Sequence, residues 1–440
     1  MQWPTLLTAA RLGKPTQDIK HARTEFQRDY DRIIFSAPFR RMQNKTQVFP
    51  LPGTVFVHNR LTHSIEVSSV GRSLANSVAT RLAEKYASEP YCHDFASLGA
   101  IISAACLAHD LGNPPFGHSG EKAISHYFLN GNGQKLVELT PQQRADVECF
   151  DGNANTFRLL SHTFRGRRQG GFALTMPTLA SVVKYPYSSI AGKKKQKFGF
   201  FEQDEAIYRS IAQTLQIPLL DPENQKFARY PLVYLVEAAD DICYQVMDAE
   251  DACRLGILSF DETRSLFMNF FDPIADSRIY ETVHNVSQTV TDRHEQVAYM
   301  RTLVVGRLID CATNIFVDNE EEILNGSFTG SLLDHLSGRV GDAMKHISRT
   351  AIERIYHHTT VAQVELSGFA IIGTLLDKFI SALVSPHSYF SSLVLPFIPE
   401  QYSVDPQSPV YDKVMSAVDT VSGMTDLYAL ELYKKMTGGI

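Results

Sequence analysis

The sequence predicts an all-α fold carrying at most a minor β-ribbon. Three observations lead there. Apolar residues recur at helical spacing through most of the chain, alternating stretches are few, and 440 residues with 44% apolar content can bury a sizeable core. The expected organisation is one large helical unit over 1–440. A core region covers about 55–255, and a helical region over 256–440 packs on it.

Between Arg60 and Tyr86, positions 63, 67, 70, 74, 78 and 82 share one face and read His, Val, Val, Leu, Val, Leu. This is a long amphipathic helix with His63 at the buried end of its stripe. Phe95 to His109 is a second helix, stopped by Asn113-Pro114-Pro115. Ser119 onward restarts a helix. Asp151 to His162, Pro231 to Arg254, Gln288 to Asp318, Ser331 to Tyr356 and Gly368 to Leu383 also read helical. Thr46 to Val57 is the best candidate for a short ribbon. Segments 130–143, 163–200 and 384–408 hold the turn formers and prolines and read as loops or lids. There is no internal repeat and no low-complexity block.

A net charge of −6 gives no general pull toward nucleic acid or an anionic membrane, so any anion site must be a local basic pocket. The one charge run, Lys193 to Lys197, reads as a solvated loop tip, with a phosphate- or nucleic-acid-facing loop as the alternative. The six cysteines form no close CxxC pair and fit buried thiols in a reducing compartment. The first residues have no charged start followed by an apolar stretch, and no apolar run reaches 18 residues. The expectation is a soluble cytoplasmic protein without a membrane partner.

The chemistry concentrates in Cys106-Leu-Ala-His-Asp-Leu-Gly-Asn-Pro-Pro-Phe-Gly-His-Ser-Gly-Glu121 and in His58-Asn-Arg-Leu-Thr-His63. His109-Asp110 sets a nitrogen and an oxygen ligand side by side at the end of an apolar helix. His63 adds a third ligand. The fourth should come from another buried helix, and Pro231 to Asp248 offers Asp240 and Asp241. At about 100° per residue, its apolar stripe centres on Leu232, Val236, Ala239, Cys243 and Val246. Asp240 falls at the stripe's edge and Asp241 points almost directly away, so Asp240 is the expected ligand. Tyr244 and Asp248 follow it at i+4 and i+8 and would line one pocket wall. Two imidazoles and two carboxylates suit Mn²⁺, Fe²⁺, Co²⁺, Ni²⁺ or Zn²⁺ better than Ca²⁺, with Mg²⁺ a further candidate. A lone His on an apolar face is usually a hydrogen-bonded core residue, and His-Asp alone is common by chance. The combination of the three helices is what raises it above chance.

With these residues in place, the chain resembles the HD-domain phosphohydrolases, and within them the bacterial deoxyguanosinetriphosphate triphosphohydrolase (dGTPase) family. The likeness runs through Arg28 to Pro50, Arg60 to Val67, His109 to Glu121, Phe150 to Thr156, Val183 to Tyr187, Lys197 to Phe201, Ala239 to Tyr244 and Val421 to Ala429, in the family's order. It implies an all-α HD-domain fold with extra helices. It implies one divalent metal held by His63, His109, Asp110 and Asp240, and cleavage of a dNTP substrate to deoxynucleoside and inorganic triphosphate. Members are often ring-like homo-oligomers, a hexamer among the expected forms, and some respond to dNTP or single-stranded DNA effectors.

The resemblance also assigns roles. His118 and Glu121, three apart at a helix start, form an acid–base pair in which Glu121 fixes the imidazole tautomer. Arg60, one turn before His63, is the first phosphate ligand and Lys184 the second. Tyr244 packs against C2′ of the sugar, Asp248 accepts from the 3′-OH, and Gln43 meets the base edge. Asn113 stands where the family often has His, and Asp151 and Asn155 where Glu and Gln are usual. These departures leave the reaction class intact and bear on base preference. The rival readings are another HD-domain phosphohydrolase (a nucleotidase, or an alarmone or cyclic-nucleotide hydrolase) and a regulatory nucleotide- or single-strand-DNA-binding protein.

Overall fold

The helix expected around His63 spans Arg60–Lys85. Asn59 starts it with a capping box: its side chain accepts from the Thr62 N–H, and the Thr62 side chain accepts from the Asn59 N–H. Its stripe is fully buried at Val67, Leu74, Val78 and Leu82. Each such side chain contributes about 1.5–3 kcal/mol relative to exposure. In this computed structural model, which describes residues 1–14, 23–49, 57–356 and 358–439, that helix is the hub of the first core. It packs on Leu98–Ala108, Val233–Arg254 and Arg293–Asp318.

Gly71 explains how three of these helices come so close. A Cβ there would lie 2.6 Å from Cys106 Sγ, 3.0 Å from Ile102 Cγ2 and 3.3 Å from Ala239 Cβ. The missing side chain lets the Leu98–Ala108 and Val233–Arg254 helices touch the Arg60–Lys85 backbone. Cys106 lies one turn before His109 and Ala239 directly before Asp240, so the crossing also brings the three predicted ligand-bearing segments together.

Helices make up 67% of the chain, which settles the all-α class. A second apolar cluster joins Gly117–Asn130 to Thr359–Val384, Val410–Ser422 and Asp426–Thr437. Within it, Glu365–Val384 is long and apolar enough by composition to cross a membrane. Half of that window is buried against the neighbouring helices, and it serves as the spine of this cluster.

Several elements differ from the sequence expectation. The ribbon expected at Thr46 to Val57 reduces, among the described residues, to one bridge between Thr46 and Asn59, and positions 50–56 lie outside them. The two-stranded ribbon is instead Leu219–Asp221 with Lys226–Phe227, antiparallel, turned by Asp221 accepting from the Glu223 and Asn224 N–H groups. The helix expected over Gln288 to Asp318 is two, Ser277–Thr289 and Arg293–Asp318, because Asp292 caps the second through the His294 N–H. The stretch expected over Ser331 to Tyr356 becomes Gly338–Thr350 followed by a π-turn, Ala351–Ile355. Glu25–Ile34, Val410–Ser422 and Asp426–Thr437 are further helices, and the segments expected as loops contain the start of Pro141–Glu148 and all of Met176–Ser181 and Tyr389–Val394.

Candidate active site

The Leu98–Ala108 helix ends at His109, whose Nδ1 lies 2.7 Å from the Cys106 carbonyl. That carbonyl is one of the acceptors a helix end leaves without an intrahelical donor. The bond puts the proton on Nδ1 and leaves Nε2 with a lone pair. Among the described residues Nε2 has no hydrogen-bond partner, although it is buried. It lies 3.6 Å from Asp110 Oδ1 and 3.4 Å from Asp240 Oδ1. Asp240 Oδ1 is also 3.1 Å from His63 Nε2. Ligands about 2.1 Å from one ion sit roughly 3 Å apart when adjacent, so these separations match a shared coordination sphere. His63, His109 and Asp110 can each offer an atom within 4.8 Å of the others, and Asp240 closes the set. A buried nitrogen left without a donor, between two carboxylates, is what a divalent ion satisfies, and the donor set fits one.

The electrostatics agree. Burial alone would keep His109 neutral, but Asp110 and Asp240 outweigh it and raise its pKa to about 9. Burial works against an ionised Asp240 too, yet the His109 and His63 rings hold its carboxyl well below the usual range. A field that favours a proton on His109 favours a cation in its place.

These groups form the floor of a cavity of about 500 Å³. Arg60 Nη1 donates to Asp110 Oδ2 at 2.6 Å, while its buried Nε has no partner among the described residues. His118 Nδ1 is 2.7 Å from Glu121 Oε2, and Glu121 Oε1 accepts from the Gly152 N–H at 2.7 Å. Both carboxylate oxygens are therefore committed, and Glu121 fixes the His118 ring. The hydrogen bond and charge of Glu121 raise the His118 pKa. Burial would raise Glu121, but the bond to and charge of His118 outweigh it and its pKa falls. The Phe150 to Thr156 block steadies the His-Asp turn. Asn155 Nδ2 donates to the Gly112 carbonyl at 2.6 Å, and the Thr156 hydroxyl donates to the His109 carbonyl at 2.9 Å while accepting from the Gly112 N–H at 3.0 Å. The Asn113 amide donates to Asp110 Oδ1, the place taken by this departure from the usual His.

The comparisons with known proteins bear on the whole chain. A deoxyguanosinetriphosphate triphosphohydrolase-like protein of Pseudomonas aeruginosa is 36% identical over 100% of this chain and 99% of its own. One from Synechocystis sp. is 35% identical with the same coverage. The chain belongs to the deoxyguanosinetriphosphate triphosphohydrolase family. A deoxyguanosinetriphosphate triphosphohydrolase of Yersinia pestis is 28% identical over 93% of each chain. No protein-family model matches.

For this triphosphohydrolase-family chain, the structure gathers most of the expected residues and displaces two. Arg60, His118, Glu121, Lys184 and Tyr244 line the cavity together with His109, Asp110 and Asp240. His63 sits beneath them, 2% exposed. Lys184 Nζ is 3.2 Å from Glu237 Oε1, and although burial lowers its pKa, Asp241 and Glu237 raise it further. It stays charged.

Gln43 does not reach the cavity. It is exposed on the 3₁₀ turn Met42–Asn44. Lys45 is buried, its Nζ donating to the Asn113 and Ser422 carbonyls, and this pulls the following residues inward. Gln47 therefore lines the wall, with a buried Oε1 that has no partner among the described residues. Asp248 is not on the wall either. It is 4% exposed, and its Oδ2 accepts from the Tyr356 hydroxyl at 2.7 Å. Tyr356 stacks on Tyr244 at 5.6 Å and takes the place on the wall expected for Asp248. Asp241 does not point away from the site. The Lys184 segment covers that side of its helix, and burial there raises its pKa to about 7. Lys197 and Glu365 also line the cavity and had no assigned role. For Lys197 the signal was its place in the Lys197 to Phe201 block. Glu365 carries no local signal.

Proposed function

We propose that this chain hydrolyses deoxynucleoside triphosphates, dGTP foremost, to deoxynucleoside and inorganic triphosphate, with a divalent ion such as Mn²⁺ or Mg²⁺ held by His63, His109, Asp110 and Asp240. The observation that carries the reading is the buried His109 Nε2, without a hydrogen-bond partner among the described residues, between two carboxylates at the floor of a cavity lined by Arg60 and the His118–Glu121 pair. The activity for which the relatives are named supplies the reaction class. An ion bound there would supply Lewis-acid activation of water and neutralise phosphate charge.

The protein groups divide the remaining work. Arg60, Lys184 and Lys197 give the phosphates three cations on one wall. His118, held protonated by Glu121, donates a proton to the departing 5′ oxygen. The Tyr244 ring leaves little room for a 2′-OH, which favours deoxyribose. Gln47 Oε1, without a partner among the described residues, can accept from a sugar or base donor. Glu365 is acceptor-only when ionised, and guanine is the base that presents adjacent N1–H and N2–H donors to such a group. A cavity of about 500 Å³ lies within the range of small-molecule sites. Six free cysteines, most of them buried, support a reducing compartment such as the cytoplasm.

The test is to incubate metal-loaded protein with each of the four dNTPs and with GTP, then identify both products. Inorganic triphosphate and deoxynucleoside, fastest from dGTP, are expected. Orthophosphate or pyrophosphate would sink the reading, and equal turnover of GTP would remove the deoxyribose preference.

A further inference from the structure

The Val421 to Ala429 block carries no role in that reading, yet it touches the site. Asp426 opens the Asp426–Thr437 helix and is only 6% exposed. Its Oδ1 accepts from the Phe116 N–H at 3.0 Å, and its Oδ2 from the Thr46 N–H at 2.9 Å. Both residues lie on the cavity wall. Lys45, next to Thr46, makes the reverse connection. Its Nζ donates to the Asn113 carbonyl at 2.5 Å and to the Ser422 carbonyl at 2.9 Å. Two buried polar side chains thus tie three distant segments: the Lys45–Thr46 wall, the turn after His109-Asp110, and the C-terminal helix pair.

That turn needs holding. Phe116 has φ +64° and Gly117 φ +59°. The left-handed region is one that a bulky L-residue rarely adopts, so its neighbours must enforce it. A Cβ on Gly117 would lie 2.7 Å from Arg60 Nη2, so the turn also abuts the proposed phosphate ligand. His118 follows at once, and the direction of the Gly117–Asn130 helix sets where its ring and Glu121 stand.

We propose that Asp426 is a positioning residue, whose two oxygens hold the Phe116 and Thr46 backbones so that His118 keeps its place over the floor of the cavity. The C-terminal helices thereby act on the reaction without touching substrate. The proposal rests on the dNTP-hydrolysis reading for its kinetic readout alone.

Asp426→Asn keeps the size and one acceptor but turns the other oxygen into a donor that faces an N–H. We expect kcat to fall about 30-fold or more, since an ångström-scale misplacement can cost about 100-fold. KM and bound Mn²⁺ should stay near wild type. The Phe116 and Thr46 amides should lose hydrogen-exchange protection. Asp419→Asn is the control. Asp419 lies in the Val410–Ser422 helix, and its carboxylate accepts from buried Arg158 at 2.9 Å and, among the described residues, from neither the Phe116 nor the Thr46 N–H. It should lower Tm while kcat is largely kept. Wild-type kcat or wild-type amide protection in a folded Asp426→Asn protein overturns the proposal, as does a loss of kcat in both variants that simply follows Tm. If the Asn protein does not fold, Asp426→Glu, which keeps the charge and lengthens the arm, should lower kcat in the same way, and unchanged kcat there also overturns it. Exchange is read without substrate. A wild type that releases no triphosphate therefore refutes the hydrolysis reading and leaves this one standing on its amides.

Discussion

The floor of the cavity and the rest of its wall are built by different means. His63, His109, Asp110 and Asp240 come from the ends and faces of three helices that cross at Gly71. Gln47, Lys184 and Lys197 come from irregular segments, and Tyr356 follows a π-turn. The floor is locked by a helix-end carbonyl and by neighbouring ligand groups. The wall keeps groups with unused capacity, such as the Gln47 oxygen. Rigid elements hold the groups whose geometry the chemistry cannot relax, while the wall mixes both kinds: Tyr244 stands on the Val233–Arg254 helix and shares the wall with Gln47, Lys184 and Lys197.

The largest effect should follow from breaking the floor. His109→Ala removes the nitrogen that no other group satisfies. Metal content should drop, and turnover should fall by about 10³-fold or more, because Lewis-acid stabilisation is worth several kcal/mol and each ~1.4 kcal/mol is tenfold. Circular dichroism should still report a folded helical protein. Retained turnover would show that the floor is only a packed histidine cluster.

Glu121→Gln comes next and separates the acid from the metal. The amide can still accept from the Gly152 N–H, but it no longer carries the charge that raises the His118 pKa. We expect kcat to fall about 100-fold with metal content unchanged. The sign of the pH effect is fixed. A general acid must be protonated, so activity is lost as pH rises through its pKa. Removing the Glu121 charge lowers that pKa, and the alkaline limb should move to lower pH. A limb that stays in place would take His118 out of the acid role.

On the wall, Tyr244→Ala should leave dGTP turnover within about tenfold of wild type and narrow the dGTP-to-GTP ratio of kcat/KM by about tenfold. Excluding one hydroxyl by shape is worth only 1–3 kcal/mol. An unchanged ratio would locate sugar choice elsewhere.

The same contrast explains what the sequence could reveal. His63 and Asp240 were legible because both lie on long periodic helices, where an angle of about 100° per residue fixes the face. The all-α class was legible for the same reason. Gln47 was not, although it lies only four residues from the Gln43 that was chosen. Its inward position depends on where Lys45 finds its carbonyl partners, and those belong to the His-Asp turn and to a helix near the C-terminus. Periodicity turns Asp241 away from the apolar stripe but describes one helix only, and says nothing about the Lys184 segment that covers its other side. Tyr356 depends on the extra residue of a π-turn, which shifts the face by about 100° and has no composition signal.

The smallest effect concerns Asp248, where the two regions meet. It lies two turns beyond Asp240, and burial raises its pKa to about 8, with the Tyr356 hydroxyl bond opposing. An acid with a raised folded-state pKa contributes stability that is fully present below its unfolded value, near 4. That contribution declines as pH climbs and is gone above about 8. Asn cannot ionise, and its Oδ1 can still accept from Tyr356. Asp248→Asn should therefore flatten the Tm–pH curve between about pH 4 and 8 and raise Tm at the alkaline end by a few degrees at most. A curve of unchanged slope would mean that the carboxylate is already ionised in the folded protein. It would then have to be held by a donor other than Tyr356, or by a positive charge such as that of His58, which acts to lower its pKa.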